Sequence, residues 1–249
     1  MIGWLIYSAV DVEKNKYYIQ MYKDKFKEHF IEIKLVIVEE LENMEQYVKC
    51  NKVDFAINRS RNHIMGELLE QKGVKVFNSS SVTRIANNKG ITYEFLKDVV
   101  PFLAVKYGNE IIESKIENKG FEYPYVIKSC SGHGGSQVFL VNNSKEEEQA
   151  VKAMNGQEYV VQQCCSDLGR DVRVYIIGNK IIKAVLRTST ESFKSNYSLG
   201  GKVQEYTLNN EEKAMVERIV DKLPLDYAGI DFTFNNGKAV FNEIEDAVG

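Results

Sequence analysis

The strongest constraint on the fold lies in the first third of the chain, where short apolar runs alternate with amphipathic stretches. Residues 3–8 (GWLIYS), 32–38 (EIKLVIV), 53–57 (VDFAI) and 74–77 (VKVF) are strand-like. Between them, residues 16–30 place Tyr18, Met21, Tyr22, Phe26 and Phe30 at helical spacing. Residues 40–48 and 64–71 read as two more helices, the second closed by Gly73. Strand and helix in strict alternation predict a parallel sheet with crossover helices. Ligands of such sheets sit at the carboxyl ends of strands, and Arg59 and Arg61 follow the third strand at such an end. Their guanidinium groups suit a substrate carboxylate, although two solvated loop arginines would give the same sequence.

Beyond residue 80 the rhythm changes. Residues 80–97 read as a helical linker containing Lys89, residues 101–107 begin a run of short strands, and 144–154 is a helix. Residues 159–163 form another strand. VRVYIIG and KIIKAVLRTS flank a turn at Gly178-Asn179, and a last hairpin surrounds Asn235-Asn236-Gly237 after a helix at 211–223. The expected architecture is an α/β N-terminal domain over 1–85, followed by an α+β body in two lobes, 86–165 and 166–249.

A hydrophobic share of 44% suffices for a substantial core. The net charge of −3 gives no electrostatic case for a nucleic-acid or membrane partner. Cys50, Cys130, Cys164 and Cys165 form no CxxC pair, which favours a reducing compartment over disulfides. The N-terminus lacks a basic start, and no apolar run approaches the ~20 residues of a membrane helix. Together these point to a cytoplasmic protein. Dimerisation is compatible with the sequence and is not read from it.

Two segments carry the chemistry. In YPYVIKSCSGHGGSQVFLV, Lys128 ends one strand, and Ser131, Gly132, His133, Gly134, Gly135 and Ser136 lead to the next. The lysine precedes the glycines, so this is not a P-loop. The stretch is either a tight hairpin or a flexible cover whose N–H groups close over phosphate oxygens beside an ammonium group. In the last hairpin, Asp231, Glu243 and Glu245 stand among apolar neighbours. Glu243 and Glu245 share a strand face. Crowded carboxylates repel unless a divalent cation intervenes, and oxygen-only ligands suit Mg2+ or Mn2+. The alternative is a solvated acidic edge.

Weaker signals lie between. Gln162, Gln163, Cys164 and Cys165 end a strand where an adenine could meet backbone groups and an amide. Asp171 could reach a ribose hydroxyl, and Arg187 is either functional or a surface arginine. SNYSLGGKV, with Asn196, Gly200 and Gly201, is a second small-residue loop.

In their order along the chain these features resemble the ATP-grasp superfamily, and most of all its ribosomal-protein-S6-modification-type (RimK-like) carboxylate–amine ligases. The resemblance covers roughly the last two-thirds of the chain. It implies an ATP-grasp fold, in which two lobes clasp ATP. It implies that Lys89 and Lys128 contact ATP phosphates, that residues 131–137 are the lid loop, and that Gln162 to Cys165 contact adenine. Asp171 then meets the ribose, Arg187 lies near the transferred phosphate, and Asn196, Gly200 and Gly201 line the substrate side. Asp231, Glu243 and Glu245 match the metal ligands. Three departures stand out: Gln137 replaces a common glycine, Gln163 a frequent glutamate, and Glu245 the usual asparagine. Relatives continue past the last acidic strand, so either a tail is missing or the floor of the site is short.

The implied reaction is amide formation from a small-molecule or peptide carboxylate and an amine, with Mg-ATP and an acyl-phosphate intermediate. An ATP-binding regulatory or scaffold protein of the same fold, and an ATP-grasp kinase, are the rival readings.

Overall fold

A computed structural model of the 249-residue chain describes residues 1–108, 121–135, 137–190, 192–194, 201–246 and 248. The chain divides into two compact units, Met1–Arg84 with Leu225–Ala228 and Asp246–Gly249, and Ile85–Pro224 with Gly229–Glu245.

In the first unit, β1 (Ile2–Tyr7), β2 (Glu32–Ile37), β3 (Phe55–Asn58) and β4 (Lys75–Phe77) form a sheet in the order β2-β1-β3-β4. All its pairings are parallel. The connections are α1 (Ala9–Val12) and α2 (Lys16–Lys27), α3 (Met44–Cys50), and α4 (His63–Gln71). β1 is apolar throughout because it is covered on both faces. Trp4 and Ile6 pack with Val36, Ala56, Met65 and Leu69 on one side, and Leu5 and Tyr7 with Ile19 and Ile33 on the other. Each fully buried side chain of this size contributes roughly 1.5–3 kcal/mol. α3 starts at Met44, later than the apolar spacing predicts, because the Asn43 side chain caps it by accepting from Gln46 N at 2.8 Å.

The second unit opens on two helices, where the sequence reads as one continuous linker. α5 (Ser80–Ala86, whose last residues enter this unit) stops, and Asn88 caps α6 (Lys89–Leu96), accepting from Ile91 N at 3.1 Å. Lys89 therefore stands in the first turn of a helix. Two antiparallel sheets follow. One has the order β5-β8-β6-β7, built from β5 (Val105–Tyr107), β6 (Tyr125–Ser129), β7 (Val138–Val141) and β8 (Tyr159–Gln163). Helix α7 (Ser144–Met154) lays Ala150 and Met154 on it against Tyr125, Ile127 and Val141.

The other sheet has the order β11-β10-β9-β12-β13, from β9 (Arg170–Ile177), β10 (Lys180–Thr188), β11 (Lys202–Tyr206), β12 (Tyr227–Asn235) and β13 (Lys238–Glu245). Its two tight turns carry positive φ at Gly178 and Asn179, and at Asn236 and Gly237, the geometry of two-residue hairpins. Helix α8 (Asn210–Lys222) begins with a reciprocal cap between Asn209 and Glu212, and buries Met215, Val216, Ile219 and Val220. No helix among the described residues is long and apolar enough to cross a membrane.

Candidate functional site

A cleft in the second unit is lined from both sheets. β6 is buried at every position, so Lys128 reaches the cleft from inside a strand. Its ammonium group donates to Asn242 Oδ1 at 2.7 Å. Burial pushes its pKa down to about 8; Glu243 works against the shift and Lys89 adds to it. Lys89, also buried, donates to the carbonyl of Gly132 at 2.7 Å and lies 3.5 Å from Glu243 Oε2.

The loop between β6 and β7 closes at its base through Ser129 N to Gln137 O at 3.1 Å. Gly134 and Gly135 take φ of 63° and 76°, which glycine adopts at no steric cost. Gly132, His133, Gly134 and Gly135 line the cleft; Ser131 is exposed and is not part of the lining. Gln137, at the position of an expected glycine, turns its amide to Gln157 Oε1 at 3.0 Å. Lys194 reaches across to the carbonyl of Gly135 at 2.5 Å.

The facing wall is acidic, and a β-bulge shapes it. Asp231 pairs with Glu243 and Phe232 with Phe241, so Asn242 is an extra residue with no partner on β12. Its carbonyl accepts from Tyr93 Oη at 2.7 Å, and its side chain holds Lys128. Asn242, Glu243 and Glu245 all line the cleft.

Asp231 is fully buried and is not part of that lining. Arg173 grips it through two bonds of 2.7 Å, and Arg187 Nη2 adds a third at 2.8 Å. Burial alone would raise this carboxyl, but the two guanidinium groups outweigh it and hold the pKa below the usual carboxylate range. Arg187, expected beside a transferred phosphate, is clamped between Asp231 and Asp171, which takes it at 2.6 and 2.9 Å. Asp171 lines the cleft while holding that arginine. Arg173 also approaches Glu245, at 3.7 Å. The Glu245 carboxyl is pushed up by burial and by Glu243 and Asp231, with Arg173 opposing. The repulsion among three carboxylates, for which the sequence reading invokes a cation, is met at Asp231 by arginines. Among the described residues no three His, Cys, Asp or Glu side chains gather as a metal-binding group.

Gln162 is buried and Gln163 exposed at the end of β8; both line the cleft, as does Cys165. Cys164 faces an adjoining cavity with Phe121, Pro124 and Leu168. Gly201 is buried before β11, whereas Ser136, Asn196 and Gly200 lie outside the described residues. Arg59 and Arg61 belong to the first unit, and each has a partner there. Arg59 is buried between the rings of Tyr7 and Tyr227 and donates to Tyr227 Oη at 3.3 Å. Arg61 bonds Asp11 Oδ2 at 2.6 Å.

Sequence reasoning passes over Arg173, Asn242, Tyr93 and Lys194. Arg173 had a signal: it follows Asp171 by two and shares its strand face. Asn242 had none, because its place depends on the bulge.

The family model for a RimK-like ATP-grasp domain matches residues 94–249. An uncharacterized protein of Mycoplasma pneumoniae, the MG011 homolog, is 31% identical over 98% of this chain and 84% of its own length. A probable alpha-L-glutamate ligase of Vibrio parahaemolyticus is 27% identical over 86% of this chain and 64% of its own. Among solved structures, a D-alanine–D-alanine ligase from Bacillus anthracis complexed with ATP superposes with a TM-score of 0.78 at 16% identity, covering 100% of this chain and 87% of that one. That likeness establishes a common fold.

Proposed function

Because this chain belongs to the RimK-like ATP-grasp family, we propose that it is an ATP-dependent carboxylate–amine ligase working in the cleft of its second unit. The observation that carries the reading is one cleft in which two buried lysines and a glycine loop face a pair of strand-borne carboxylates. Ammonium groups and backbone N–H donors answer the charge of a triphosphate. The alternative of a plain hairpin gives no reason to bury Lys128 at the expense of its charge.

In this reading Lys89 and Lys128 set positive charge against phosphoryl oxygens, and the backbone of Gly132, Gly134 and Gly135 closes over them. A triphosphate beside Lys128 favours its protonated form and reverses the effect of burial. An oxygen of the substrate carboxylate attacks the γ-phosphorus, the bond to the bridging β–γ oxygen breaks, and ADP leaves. The nitrogen of a neutral amine then attacks the acyl carbon, inorganic phosphate departs, and the nitrogen's proton passes to solvent. Closure of the glycine loop keeps water from the acyl phosphate. Arg187 acts through Asp171 and Asp231, keeping the acidic wall in register.

Glu243 and Glu245 fit a divalent cation: they offer hard oxygen donors on one strand face, and their mutual repulsion is the kind a cation relieves. They would hold Mg2+ or Mn2+, which when bound neutralises charge on the phosphates. Asp231 gives its oxygens to the two arginines.

The test is ADP release from ATP by the full chain, offered panels of carboxylates and amines, with product mass determined. The printed name of the Vibrio relative makes L-glutamate the first amine to try. Turnover that needs both substrates, yields an amide and disappears in Lys128→Ala and Glu243→Ala supports the proposal. Release of a stable phosphorylated product without an amide would make it a kinase, and tight ATP binding without turnover on any pair would make it a binding protein.

A further inference from the structure

Tyr93 lies outside the cleft lining yet is bonded to two residues that form it. Its side chain is 3% exposed, with the ring packed on Phe102 at a centroid distance of 5.0 Å and edge-on to Phe241 at 6.1 Å. The hydroxyl position is therefore set by packing. It carries one proton, and the carbonyl of Asn242, 2.7 Å away, can only accept. The hydroxyl proton goes to that carbonyl, so the oxygen must accept from its other neighbour, Gln162 Nε2 at 3.0 Å.

An amide has a donor end and an acceptor end. With its NH2 turned to Tyr93, Gln162 has its carbonyl oxygen left for whatever fills the cleft it lines. No hydrogen bond occupies that oxygen among the described residues. A flipped amide would set two acceptors against each other, or draw the hydroxyl away from the bulge carbonyl and lose that bond.

We propose that Tyr93 is a positioning residue for base selection. By holding the Gln162 carbonyl toward the cleft, it makes the site accept a purine that donates from position 6, as adenine does. A purine that accepts there, guanine or hypoxanthine, is rejected. This deepens the ligase reading and rests on it in that the cleft takes a nucleoside triphosphate with its base against Gln162.

The experiment is equilibrium binding of ATP and inosine triphosphate to the full chain, with Tyr93→Phe and Gln162→Leu as variants. Wild type should prefer ATP by at least about tenfold, the cost of one unpaired acceptor at a buried site. In Tyr93→Phe the amide is free to flip, so the ratio should drop to within about threefold, with inosine triphosphate gaining affinity. Gln162→Leu, which leaves the Tyr93–Asn242 bond in place, should lose the preference as well. A merely structural role for Tyr93 would weaken both nucleotides equally and leave the ratio at its wild-type value, which overturns the proposal. Equal binding of the two nucleotides by wild type also overturns it, whatever the variants do. Failure of wild type to bind any nucleoside triphosphate sinks the ligase reading instead.

Discussion

Replacing Arg173 by methionine should destabilise the second unit severely, although no sequence motif singles this residue out. Asp231 has no exposed surface, and four charge-assisted bonds tie it and Asp171 to two guanidinium groups, with a fifth between Asp231 and Arg187. Methionine removes both Arg173 bonds, leaving a buried carboxylate with one partner. Breaking a buried pair in this way costs about 3–5 kcal/mol. In a chain of this size each kcal/mol lowers Tm by roughly 2–4 °C, so the melting transition should fall by about 6–20 °C. Calorimetry and urea unfolding measure it. The companion is the double variant Arg173→Met with Asp231→Leu, which takes away the stranded charge; it should recover more than half of the loss, since apolar replacement of a whole buried pair is often neutral. The pH profile supplies a second reading. Asp231 has a depressed pKa in the fold, so its contribution is complete above the unfolded carboxylate range and is lost as pH falls through the folded value. Arg173→Met should move that loss to higher pH. A single variant that costs less than about 1 kcal/mol, or a double variant no better than the single, refutes the reasoning.

Other expectations concern the cleft and its supports. Because burial holds Lys128 near a pKa of about 8, it loses its proton above that pH in the empty protein, so ATP affinity should fall as pH rises from 7.5 to 9.5; Lys128→Met should flatten that profile in a titration series. The same depressed lysine makes the unfolded chain bind more protons between about pH 8 and its ordinary value, so this group's burial cost eases, and stability rises, across that window. Glu243→Gln together with Glu245→Gln should weaken Mn2+ binding in the presence of ATP by roughly tenfold or more, read by the electron paramagnetic resonance signal of free Mn2+. Asn88→Ala should cost about 1 kcal/mol through loss of the α6 cap, measurable by urea unfolding. At Gly169, φ is +68° and a Cβ would lie 2.4 Å from Ser189 O, so Gly169→Ala should destabilise by about 2–3 kcal/mol.

The local elements were legible because their causes are local. Short apolar runs and period-3.6 patterns located β1 to β4 and the crossover helices, and asparagine–glycine turns marked the two hairpins of the larger sheet. The motif order of lysine, glycine loop, arginine and acidic strand is enough to indicate the RimK-like ATP-grasp family. Where reading failed at this level, a cap was the reason: Asn88 breaks one apparent helix into two and sets Lys89 in a first turn.

What needed the tertiary structure was the pairing of charges between strands far apart in the chain. Residue types alone said that Asp231, Glu243 and Glu245 repel; only the side-chain bonds between β9, β10 and β12 show that Arg173 and Arg187 neutralise the first of them. A single-residue bulge then turns Asn242 toward Lys128 and lends its carbonyl to Tyr93. A bulge leaves no periodic trace in a sequence, because one inserted residue is defined only against the strand beside it. Composition and spacing set which elements form and what chemistry they can carry, while the partner each buried charge finds is decided by packing across the fold.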